Sequence, residues 1–245
     1  MKKIILFLGL TTASIGLKAQ SGYNYQQFAV GVDASYIRGY TNIPRQDNHL
    51  AASLNLIYNF NPYLPITAEI QKGTLSGGGL TVDKDKFGRK YTNNYFAFVL
   101  RADFQLGAGI DYEGSTFLGI IKNFYVGSGV GLVMNNNTVQ RTNVIAANGP
   151  LTYVFPGSDK STNFIVPLRA GYEFKIFDSY NEPLWAIDIG YVHNFVFGEG
   201  LDGYDDPTGK FKNNATNQYR QIFIGFKYNF GPAVSYNKLI RHFNQ

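Results

Sequence analysis

Nine charged residues stand at alternate positions within otherwise apolar segments: Asp33, Glu69, Arg101, Asp103, Arg169, Glu173, Lys175, Asp188 and Lys227. Acids and bases gathered on one face of a sheet admit two kinds of chemistry. Withdrawn from water, they must pair, because an isolated buried charge is costly. Lined along an open bore, they would instead pass ions or small polar solutes. Glycines 127, 129, 131, 171, 190 and 225 share the same faces; by removing bulk they leave a narrow, gated water path conceivable. A bore of eight strands is just wide enough for side chains to fill, so the expected arrangement is an ion-paired polar plug.

The remaining reactive residues offer less. His49, His193 and His242 are scattered, and no His-x-Ser pair falls on a strand. His193 has outward parity, where an interfacial role suits it better than a catalytic one. Asp83 with Asp85, and Asp202 with Asp205 and Asp206, could surround a calcium ion, but neither set has EF-hand spacing and acidic loop residues are ordinarily solvated. Gly77-Gly78-Gly79 lacks the Gly-Lys-Ser/Thr ending of a phosphate loop. The chain has no cysteine, which excludes disulfides, thiolate metal sites and a lipoprotein anchor. No catalytic residue, cofactor or metal is expected, and the chain is not read as an enzyme.

The elements that must position the charges are strands. Phe96, Phe98, Leu100, Ala102, Phe104 and Leu106 alternate with Ala97, Val99, Arg101, Asp103 and Gln105. A period of two over that length means a strand between two different environments. The same rhythm runs through Phe28–Tyr36, Ser53–Phe60, Ile66–Gln71, Phe124–Leu132, Phe164–Lys175, Trp185–Asn194 and Gln221–Phe230. Eight strands is an even number, as a single-chain bacterial membrane barrel requires. In every strand the apolar face is the broader one, and the charges lie on the other.

Connection lengths alternate. The segments near 38–49, 75–93, 135–162 and 198–217 are long and polar; those near 61–65 and 177–183 are tight, and 107–121 is intermediate. With both ends of the barrel chain on the periplasmic side, the long loops all fall outside the cell. Aromatics mark the strand ends: Tyr58, Phe60, Tyr63, Phe174, Phe177, Tyr180, Trp185, Tyr228 and Phe230 at one boundary. Tyr36, Tyr40, Tyr91, Tyr95, Phe96, Phe195, Phe197 and Tyr219 are expected at the other, as interfacial rings would be.

Composition agrees. The chain has 245 residues, 16% aromatic and only 16% charged, with 44% hydrophobic residues but a mean hydropathy of −0.16. Apolar residues must therefore be interspersed with polar ones, as in membrane strands. Residues 1–19 read as a signal peptide: Lys2-Lys3, an apolar stretch to Leu17, and Ala19 before the cut at Gln20. Without Lys2, Lys3 and Lys18, 19 basic residues face 17 acidic ones, a net +2. That is no nucleic-acid footprint.

In alternation, strand count and loop asymmetry the chain resembles the OmpA/OmpX-type small barrels and the broad family of bacterial outer-membrane β-barrel-domain proteins. The resemblance covers about residues 25–230, is architectural, and transfers no site residue; Gly88–Tyr95, leading into the fourth strand, is similar to that family's loop-to-strand entries. It implies an all-β fold: an eight-stranded antiparallel up-and-down transmembrane β-barrel over 20–230, with a short periplasmic tail at 231–245. The expected location is the outer membrane, among lipid and lipopolysaccharide, with the long loops free to meet another envelope protein. A narrow channel for small solutes and a soluble lipocalin-like carrier are the alternatives.

Overall fold

A computed structural model describes residues 24–112, 115–205, 207 and 216–236. The expected signal peptide, Asp206 and His242 lie outside the described residues. Eight strands close into one barrel: β1 (Asn24–Tyr40), β2 (Asn48–Asn61), β3 (Leu64–Gly78), β4 (Lys90–Gln105), β5 (Phe124–Val139), β6 (Lys160–Phe177), β7 (Pro183–Phe197) and β8 (Gln218–Ser235). Each pairs antiparallel with its neighbours in sequence, and β1 pairs with β8 to close the ring. Closure leaves no unpaired edge, the condition for a sheet in an apolar medium.

Strict alternation is why these segments form strands with one dry outer wall. Along β4, Phe96, Phe98, Leu100 and Phe104 are exposed while Tyr95, Ala97, Val99, Arg101 and Asp103 are buried. Leu56 is 67% and Val126 60% exposed, and dozens of large apolar side chains share that outer wall. So continuous an apolar surface marks contact with something other than water. A soluble ligand-carrying barrel has the opposite polarity.

At one end lie the described ends of β1 and β8, the two-residue turn between β2 and β3, and the five-residue turn between β6 and β7. The β4–β5 connection is there too, with a short helix α1 (Thr116–Ile121) capped by Ser115, whose hydroxyl accepts from Leu118 N–H. The other four connections gather at the opposite end. Strands of 14 to 18 residues exceed the roughly 9–11 that cross a hydrocarbon core, so β-structure projects beyond it.

The last strand runs further than its alternation indicates. Phe230 was the expected end, but Gly231 takes φ 99°, and the chain then pairs with Asn24–Gln26 through Ser235. A register shift between Gln26 and Phe28 on β1 accommodates the kink.

Candidate functional site: the barrel interior and its two seals

The nine charged residues project inward, but they do not form one network. Near the end that carries the described termini, Glu173 binds Lys227 at 2.6 Å and lies 3.7 Å from Lys175. The Lys175 ammonium also donates to the Pro62 carbonyl (2.6 Å) and to Gln105 Oε1 (2.7 Å). Higher in the bore, Arg169 binds Asp188 at 2.6 Å and reaches Asp103 at 3.7 Å. Arg101 stands 3.5 Å from Glu69 and 4.0 Å from Asp103. Among the described residues Asp33 makes no ion pair within 4 Å; its carboxylate accepts from the Asn55 amide at 2.7 Å.

Register explains the grouping. Glu173 sits directly opposite Asp188, and Asp188 opposite Gly225, which in turn faces Asp33. Three carboxylates thus crowd one sector, and Arg169 with Lys227 is drawn into it. The glycines make room for this crowd. A Cβ on Gly127 would stand 2.0 Å from Asp103 Oδ1 and 2.8 Å from the Ala102 carbonyl. On Gly225 it would meet Asp33 Oδ1 at 2.2 Å. The space that glycine frees is occupied by charged side chains rather than by a water path. The cavities beside Asp33 and Arg101 measure about 10 and 30 Å³, sized for water and not for a solute.

Neutral partners complete the interior. The Tyr125 hydroxyl accepts from Arg169 Nη2 at 3.1 Å and donates to Asp188 at 2.7 Å. The Arg169 guanidinium also lies over the Phe223 ring, 4.2 Å from its centroid. Gln71 and Gln221 bind each other across the bore (2.8 Å), and Tyr95 donates to Gln71 (2.8 Å). All have inward parity, the signal by which sequence could have included them.

Each end of the bore holds a buried cluster of aromatic and apolar side chains. At the end carrying the termini, Tyr25, Tyr63 and Tyr112 form a buried cluster, with the Tyr63 and Tyr112 hydroxyls 2.7 Å apart. Tyr63 is therefore a stopper instead of a boundary aromatic. Tyr91, Tyr95 and Tyr219, expected in the other girdle, are likewise buried inside. Their inward parity overrides their position near strand ends. Loop residues Ile43, Phe155, Leu201 and Tyr204 pack onto them as an apolar cap.

The cap is held by the loop charges. Asp85 pairs with Arg89 at 3.0 Å, and its carboxylate also accepts from the Phe87 and Arg89 backbone N–H groups. The Arg89 guanidinium then lies 5.8–5.9 Å from the Phe87, Phe155 and Tyr204 rings. Burial pushes the Tyr204 hydroxyl well above the ordinary tyrosine value, and it accepts from Lys90 N–H. Asp202 accepts from Tyr204 N–H. Asp85 and Asp202 are 1% and 2% exposed, so these acids are loop fasteners, not solvated residues. Asp83 accepts from the Thr81 hydroxyl, which holds its carboxyl below the usual carboxylate range.

One serine–histidine contact occurs at the rim. His49 Nε2 lies 2.8 Å from Ser76 Oγ, and that hydroxyl donates to Asp47 at 3.0 Å. In a hydrolytic triad the carboxylate orients the histidine, which then takes the serine proton. Here the Asp47 carboxylate accepts the hydrogen bond of the serine hydroxyl, so His49 donates to Ser76 and is not placed as its base.

The outer wall carries ring pairs at both levels. Toward the termini, Trp185 and Tyr228 are 4.4 Å apart, and Phe124 and Tyr172 4.7 Å. Toward the long loops, Phe164 and Phe197 are 5.7 Å apart.

Fold and site together define a class: a closed eight-stranded antiparallel barrel with charged and polar side chains inside and an apolar outer wall. No family model matches the chain, and no curated protein does. Solved structures are similar in fold. Neisserial surface protein A is 13% identical, with 83% of this chain and 97% of that one covered at a TM-score of 0.44. Ail of Yersinia pestis, solved with the heparin analogue sucrose octasulfate, is 12% identical over 86% and 100% at 0.44. The outer membrane protein AlkL, solved in lipid bilayers, is 13% identical over 92% and 97% at 0.35.

Proposed function

We propose that the protein is an integral outer-membrane barrel that conducts nothing and serves as a rigid mount for its folded loop cap. Its role is envelope structure, presentation of that cap to another envelope or surface protein, or both. The observation that carries this reading is the pairing of an apolar outer wall with a bore filled by ion pairs and sealed at each end. The cavities beside Asp33 and Arg101 are sized for water and offer a solute no path. Outer-membrane lipid and lipopolysaccharide are then its immediate surroundings, reached after removal of residues 1–19.

Two measurements test the reading. Mature protein refolded in detergent is expected to give a β-rich circular dichroism spectrum and a gel mobility that changes on boiling. Planar-bilayer recordings of the same material are expected to stay at baseline. Folding without detergent would point to a soluble carrier; reproducible conductance steps would point to a channel.

A further inference from the structure

A row of basic residues on the outer wall is explained neither by the interior charges nor by the apolar belt. Arg38 on β1 is paired directly across the strands with Arg220 on β8, and Arg220 with His193 on β7. Their chain neighbours Ile37, Tyr219 and Val192 are buried, so alternation turns all three outward. Like charges placed directly opposite one another destabilise a sheet. The usual remedy is an interleaved carboxylate, and the outward positions around the pair are Tyr36, Tyr40, Asn48, Gln218, Ile222 and Tyr191. None is acidic. Among the described residues neither guanidinium forms an ion pair.

Instead both cations converge on one ring. The Arg38 and Arg220 guanidinium carbons lie 5.9 and 5.4 Å from the Tyr40 centroid. A single tyrosine face attracts a cation but does not neutralise two charges. The Arg38 Nε is buried with no hydrogen-bond partner. Beside them the row is already organised: His193 Nδ1 lies 3.1 Å from the Tyr191 hydroxyl, and Nε2 lies 2.8 Å from Gln218 Oε1. That contact uses the amide oxygen and leaves the Gln218 N–H groups to donate elsewhere. Immediately toward the belt stand Leu50, 74% exposed, and Ile222, 56% exposed.

We propose that the Arg38–Arg220–His193 row binds the phosphate of an anionic lipid headgroup in the leaflet bordering the long loops. The two guanidinium groups grip the phosphate, which suits planar, forked donors better than it would lysine. The acyl chains descend over Leu50, Tyr36 and Ile222. This contiguity of paired cations and exposed apolar wall favours a lipid over a free anion. The assignment rests on the membrane reading above.

The test uses protein refolded in an uncharged maltoside detergent and first shown to be heat-modifiable. It is titrated with bisphosphorylated lipid A, with the same lipid stripped of both phosphates, and with inorganic phosphate. Readouts are the thermal midpoint and the Nε–H resonance of Arg38. Phosphorylated lipid is expected to raise the midpoint and shift that resonance, while the other two additions leave both unchanged. Arg38→Gln and Arg220→Gln are each expected to weaken the response about tenfold. Lys72→Gln, which removes an exposed cation elsewhere on the wall, should leave it unchanged. Equal responses to the stripped lipid, or from the two arginine variants, overturn the site; equal loss in Lys72→Gln reduces it to general charge attraction. A matching response to inorganic phosphate makes it a soluble-anion site and overturns the lipid assignment. Absence of a heat-modifiable fold overturns both the site and the membrane reading, whereas a folded barrel indifferent to phosphate overturns the site alone.

Discussion

Arg169 is bound on three sides: Asp188 at 2.6 Å, the Tyr125 hydroxyl at 3.1 Å and the Phe223 ring face. Arg101 is held more loosely, with carboxylates at 3.5 and 4.0 Å and Nε and Nη1 lacking hydrogen-bond partners. Removing one member of a buried pair leaves the other charge uncompensated, at about 3–5 kcal/mol. Arg169→Ala is accordingly expected to lower unfolding stability by about that amount, and Arg101→Ala by less, as measured by denaturant titration in detergent. Equal losses, or none, would mean that the interior charges are solvated instead of packed. Gly127→Ala brings a methyl onto a carboxylate and a backbone carbonyl, with an expected loss of about 1–3 kcal/mol from overpacking. The same assay decides it, since a neutral Gly127→Ala would show that the bore has slack.

Among the elements, β8 does most to close the ring, and its last five residues are the ones alternation does not reveal. Of these, Ala233, Val234 and Ser235 pair with Asn24–Gln26, beside the lower tyrosine cluster against which Val234 and Tyr236 pack. Truncation after Phe230 is expected to leave a β-rich barrel with a lower thermal midpoint and faster hydrogen exchange at Tyr25 and Tyr63. Unchanged exchange there would show that the extension is dispensable. On the wall of β2, Leu56 projects outward. A cation at mid-depth on a lipid face costs about 2–4 kcal/mol, so Leu56→Arg should impair refolding into bilayers. Lys in place of exposed Leu80, in the β3–β4 loop, should not. A barrel that tolerates both equally does not have lipid against β2.

For the whole molecule, the proposed reading has the two aromatic clusters and the ion-paired middle act in series. Loosening the cap alone is then not expected to open a pore. A variant carrying both Arg89→Ala and Tyr204→Ala loses the ring-and-guanidinium contacts that hold the loops and is expected to become protease-sensitive there. It should remain silent in bilayer recordings, because Arg169, Glu173 and the lower tyrosines still fill the bore. Conductance in the double variant but not in the parent would make the cap a gate.

Alternation alone fixed which side chains face inward and which face outward, because a strand's side-chain period is two whatever its neighbours are. Eight such segments, with Asp33, Glu69, Arg101, Asp103, Arg169, Glu173, Lys175, Asp188 and Lys227 on their narrow faces, were enough to define the barrel and its apolar wall. Pairing within the interior was not legible. It depends on register between strands far apart in sequence, such as Glu173 opposite Asp188 and Gly225 beside Asp33. For the same reason the glycines read as empty space until their cross-strand neighbours were in place. Tyr63, Tyr91, Tyr95 and Tyr219 looked like boundary aromatics from their place near strand ends; closure of the ring made them stoppers. Arg38 and Arg220, 182 positions apart in the chain, become neighbours only because β1 meets β8. That contact comes from the geometry of closure, not from any local preference.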